Sequence, residues 1–104
     1  MEYNPPATHD YTVMVRYGRD RKTNNRNSVL YTIKCDDIIY FGVSRCCPWD
    51  HFNKQVGLNI AVGRCMKALD GSPLGGELTR ETDFGAISRE SIVQLLEWFR
   101  SLNK

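Results

Sequence analysis

A chain of 104 residues, 41% hydrophobic and 25% charged, has the size and balance of one ordinary globular domain, which argues against a disordered, fibrous or two-domain architecture. The formal charge is only +2, modest for a nucleic-acid binder, so its distribution matters more than its total. The longest apolar runs, such as Ile38-Ile39-Tyr40-Phe41, fall far short of the roughly 20 residues that cross a bilayer, and no membrane partner is expected.

Residues 1–10 are polar and carry Pro5 and Pro6, which predicts a loosely ordered lead-in. They lack the basic region and apolar core of a secretory signal, so the protein is expected to stay inside the cell that makes it. From Tyr11 to Tyr17 the pattern alternates, with Tyr11, Val13, Val15 and Tyr17 on one face and Thr12, Met14 and Arg16 on the other, as in a strand. Residues 18–28 hold Gly18, three asparagines and Arg19, Arg21, Lys22 and Arg26, and read as a long basic hairpin loop. Val29, Tyr31, Ile33 and Cys35 share a face of a second strand, Asp36-Asp37 turns the chain, and residues 38–44 form a third strand.

Beyond Trp49 the period lengthens. Leu58, Ala61, Val62, Cys65, Ala68 and Leu69 make one apolar stripe on a helix over residues 52–69, with Asp50 as the expected N-cap and Asp70-Gly71-Ser72-Pro73 as its stop. Gly57 and Gly63 inside it point to close approach, either of the sheet or of a partner or phosphate. Residues 70–87 read as irregular, with a short edge strand possible over residues 77–82. Ser88 then caps a last helix marked by Ile92, Leu95, Leu96, Phe99 and Leu102. The expected architecture is α+β: a three-stranded antiparallel sheet packed against two amphipathic helices. Both are expected on one side, because Thr12, Arg16, Thr32 and Lys34 mark the other face as polar.

Chemistry-bearing groups are few. His9 and His51 are far apart, and no Ser-His-Asp arrangement is evident. Asp36-Asp37 is explained by a turn. Gly75-Gly76 lacks the lysine of a phosphate-cradling loop, so no enzyme site and no cofactor are implied. Without an export signal the four cysteines are expected to be reduced. Cys35 and Cys65 fall in apolar periodic segments and are expected to act as small buried hydrophobes. Cys46, Cys47 and His51 have suggestive spacing for a metal but lack a paired half-site, so ordinary free thiols are preferred over a zinc site or a redox pair.

Charge distribution carries what remains. Residues 1–69 contain ten Lys or Arg against six Asp or Glu, and residues 70–104 four against six, giving +4 and −2. Arg19, Arg21, Lys22 and Arg26 crowd the hairpin, and Lys34, Arg45, Lys54, Arg64 and Lys67 extend a basic surface along sheet and helix. Such a surface suits a nucleic-acid backbone or an acidic protein, although solvated loop charge explains it equally. Tyr17, Tyr31 and Tyr40 offer either a stacking platform or core area, and Trp49 either a staple before the helix or an exposed anchor.

The segments Tyr40-Phe41-Gly42-Val43-Ser44-Arg45-Cys46, Asp50-His51-Phe52-Asn53-Lys54 and Gly57-Leu58-Asn59-Ile60-Ala61-Val62-Gly63-Arg64 resemble a diffuse family of small bacteriophage-encoded proteins. Its members pair an aromatic-Gly-(Ile/Val)-(Ser/Ala)-Arg-Cys strand with a Gly-x-x-Ile-Ala-x-Gly-Arg helix, and some resemble inhibitors of bacterial CRISPR immunity. The resemblance covers about residues 38–68. It implies a phage protein in the cytoplasm of an infected bacterium, binding a host defence nucleoprotein complex or its Cas subunits without catalysis. The alternative is a small DNA- or RNA-binding phage regulator. In either case Arg19, Arg21, Lys22, Arg26, Arg45, Trp49, Lys54 and Arg64 are the expected contacts.

Overall fold

The computed structural model describes residues 11–46 and 52–102. The lead-in of residues 1–10, Cys47, Trp49, the expected cap Asp50 and His51 lie outside the described residues. Strand β1 (Tyr11–Arg19), β2 (Arg26–Cys35) and β3 (Ile38–Arg45) form the antiparallel meander that the alternating residues require. The β2–β3 turn is only Asp36-Asp37, with Asp36 at φ 54°, a left-handed conformation that aspartate tolerates. Both strands of the first hairpin run further than their alternation indicates, leaving residues 20–25 as the connection. The Asp20 carboxylate ties this turn by accepting from the Lys22 and Thr23 amides at 2.7 and 3.1 Å.

The sheet has four strands, not three. Strand β4 (Phe84–Ser88) pairs antiparallel with β3, placing Ile87 opposite Ile39, so the order is β1-β2-β3-β4. The added strand is thus residues 84–88 and not residues 77–82. It is short, and its glycine has a packing reason: a Cβ on Gly85 would lie 3.1 Å from the Phe41 ring. A five-residue strand with glycine and alanine at interior positions leaves little alternation to read.

The helices lie on opposite faces of this sheet, which corrects the expectation that both share one side. Helix α1 (Lys54–Gly71) covers the face of Val29, Gly42 and Ser44: the Ser44 hydroxyl donates to the Gly57 carbonyl at 2.8 Å, and the Cys65 thiol to the Tyr40 carbonyl at 3.4 Å. Its buried positions are the small residues Gly57, Ala61, Cys65 and Ala68, which let its backbone approach the strands. Asn53 is the N-cap, accepting from the Gln55 and Val56 amides.

On the second face Leu30, Ile39, Phe41, Val43 and Ile87 pack with Leu95, Trp98 and Phe99 of α2 (Ile92–Ser101). The polar set Thr12, Arg16, Thr32 and Lys34 belongs to this face too, but it occupies only part of β1 and β2. Thr32 is itself buried, its hydroxyl donating to the Met14 carbonyl. A short 3-10 turn, Arg89–Ser91, leads into α2, and Ser88 caps that turn through the Glu90 amide. No described helix is long and apolar enough to cross a membrane.

Candidate anion-binding cleft

Because α2 lies on the same face as Arg16, its last turns come alongside the end of β1. Between them is an open cleft of about 360 Å³, floored by Leu96 and Phe99 and ringed by Arg16, Arg19, Arg21 and Arg100. Gly18, which is buried, and Tyr17 complete the lining, which includes no acidic side chain. Asp20, the acid between Arg19 and Arg21, has its carboxylate turned to the hairpin amides, whose hydrogen bonds hold it below the usual carboxylate range. Arg19 is steadied by donating to the Asn24 carbonyl at 3.0 Å. Arg100 sits in the last turn of α2, where a cation is favoured by the helix dipole.

Chemically this is a rim of guanidinium groups over an apolar floor. Each guanidinium keeps its charge and presents planar donors suited to carboxylate or phosphate. On the opposite face of the same strand, Tyr17 lies under two further cations, Arg26 at 5.2 Å and Lys54 at 5.3 Å from its ring centre. The end of β1 is therefore positive on both sides.

The structure sorts the expected contacts into groups. Arg19 and Arg21 enter the cleft, Arg26 and Lys54 flank Tyr17, and Lys22 is exposed in the turn. Arg45 and Arg64 instead converge on Asp83, with Arg45 Nη2 at 2.6 Å and Arg64 Nη1 at 3.7 Å from its Oδ1. Arg45 also donates to the Arg80 and Thr82 carbonyls, and Arg64 to the Val43 carbonyl, so both brace the chain. Lys34 lies near the other end of β2, opposite Thr12, and does not extend this surface. Arg16 and Arg100 are additional members of the cleft. Arg16 reads in sequence as one polar residue of an outward face, and Arg100 follows the apolar stripe of the last helix; only the packing of α2 beside β1 joins them.

Tyr17, Tyr31 and Tyr40 do share a face, but all three are half-buried, and burial pushes the Tyr31 phenol up. Burial likewise pushes the Cys65 thiol up to about 12, which leaves it protonated and unreactive at neutral pH. Among the described residues no three His, Cys, Asp or Glu side chains are grouped to hold a metal ion. Comparison with family models, curated proteins and solved structures gives no match to this chain.

Proposed function

We propose that this chain is a non-catalytic binding protein that engages an anionic surface of a larger partner through the cleft of Arg16, Arg19, Arg21 and Arg100. The observation that carries this reading is the convergence of four arginines from β1, the hairpin and α2 around an apolar floor, with no acidic side chain in the lining. Positive charge steers an anionic partner into the site, and the Leu96 and Phe99 floor adds apolar contact after docking. The resemblance over residues 38–68 supports placing the protein in a phage-infected bacterial cytoplasm, with a host defence nucleoprotein complex as the partner. Such a complex is inhibited when a small protein occupies the path its nucleic acid or recruited nuclease must take.

Affinity capture from CRISPR-bearing bacterial lysates tests this. The wild-type chain is expected to recover a Cas subunit, and an Arg16→Glu, Arg100→Glu double variant to lose it. Recovery of no Cas subunit across the common subtypes sinks the anti-defence reading.

Direct binding of DNA or RNA is the second reading, favoured by Tyr17 lying beneath Arg26 and Lys54 at the same strand end. It predicts an oligonucleotide shift whose affinity falls steeply with salt.

A further inference from the structure

We infer that the partner presents an extended acidic protein segment, which adds to the sheet as a fifth strand along the outer edge of β1; this rests on the anionic-partner reading above. The two edges of the sheet differ. At β4 the edge is occupied, since Leu74 bridges Ala86 and the Gly75 amide donates to the Ala86 carbonyl at 2.9 Å. At β1 a nine-residue strand pairs with β2 alone among the described residues, contains no proline, and keeps regular register from Tyr11 to Gly18, its two charges, Arg16 and Arg19, and the register shift between Gly18 and Arg19 all lying toward the cleft end. Open edges of this length commonly carry such protection, because their backbone groups template another strand.

The two faces of β1 specify what that strand must look like. On the α1 side Tyr11, Val13 and Val15 are 51%, 43% and 37% exposed, an apolar row that α1 does not cover. On the α2 side stand Thr12, Met14 and Arg16, leading into the arginine cleft. A strand paired with β1 alternates its side chains between these faces. Apolar residues at one parity meet Val13 and Val15, and carboxylates at the other meet Arg16 and the cleft. A second copy of β1 fits poorly, because its residues 11–19 contain arginine and no acid. Backbone pairing supplies affinity, and the alternating faces supply selectivity.

The probe is a synthetic peptide in which glutamate and valine alternate over the length of β1, added to the full chain and followed by amide hydrogen exchange. Binding is expected to slow exchange of the outward amides of residues 11–19 by at least about tenfold. Arg16→Glu or Arg100→Glu should weaken binding about tenfold. Peptides N-methylated at one or the other set of alternate residues keep every carboxylate, yet one of the two should fail to bind. Equal binding by both, or binding with unchanged β1 exchange, overturns strand addition while leaving the anionic-partner reading intact. Outward β1 amides already protected in the unliganded chain also overturn it, and so does binding of an oligonucleotide but not the peptide. Binding of neither probe removes both inferences.

Discussion

Gly42 of β3 lies directly beneath Ala61 of α1. A Cβ built on Gly42 would overlap the Ala61 carbonyl oxygen and the Cys65 amide nitrogen and reach the Arg64 carbonyl carbon at 2.9 Å. The obstruction is helix backbone, which cannot swing aside as a flexible side chain does. Gly42→Ala is therefore expected to destabilise the chain by about 3 kcal/mol, read as a lower urea midpoint with little change in slope.

Gly63, on the exposed side of the same helix, makes the opposite case. Nothing lies within 4 Å of a Cβ placed there. Gly63→Ala gains helix propensity without a clash and should stabilise by about 0.5–1 kcal/mol, raising the thermal midpoint.

These two glycines show how far the sequence carries. Strands β1 to β3 and the apolar stripes of both helices are legible because each repeats over enough residues to fix its period. Gly57 is likewise a packing glycine, its Cβ position being 3.0 Å from the Phe52 ring and 3.2 Å from Val29. What stays hidden is the partner of each face. Leu30, Ile39, Phe41 and Val43 belong to the face that Thr12 and Arg16 mark as polar, and pairing them with Leu95 and Phe99 needs contacts between distant segments. The arginine cleft is hidden for the same reason, since Arg100 joins Arg16 only once α2 is placed. Arg45 and Arg64 read as free surface charge until Asp83 is brought beside them by β4.

Arg45 secures the segment before β4 through the Arg80 and Thr82 carbonyls and the Asp83 carboxylate. These groups are partly exposed, so solvent screens the ion pair and the carbonyl bonds carry more of the effect. Arg45→Ala should cost about 1 kcal/mol and accelerate amide exchange in residues 79–83. Asp83→Asn, which leaves the carbonyl bonds, should cost less.

Trp98 joins that segment to the core. Its ring meets Phe41 edge-on at 5.6 Å, and its indole N–H donates to the Thr79 carbonyl at 2.8 Å. Trp98→Phe retains an aromatic ring but removes the donor, with an expected loss of about 1–3 kcal/mol in denaturant titrations. Phe41→Ala removes a fully buried ring and should cost about 3–5 kcal/mol.

Cys65 gives the fold a base-sensitive point. Burial raises its thiol from 9.0 to about 12 in the folded chain. Between these values the unfolded chain releases a proton that the folded chain retains, so this contribution is fully present below the lower value and is lost as pH rises toward the upper. Tyr31 is shifted in the same direction, so the informative quantity is the difference between the wild type and Cys65→Ala. The variant should be about 1 kcal/mol less stable at neutral pH, because it empties part of a fully buried site beside Gly42. That deficit should shrink in alkaline solution, where only the wild type must keep the buried Cys65 thiol protonated against its tendency to ionise. Urea titrations of both proteins at neutral pH and midway between the two values measure it, and a deficit independent of pH refutes the role of the thiol.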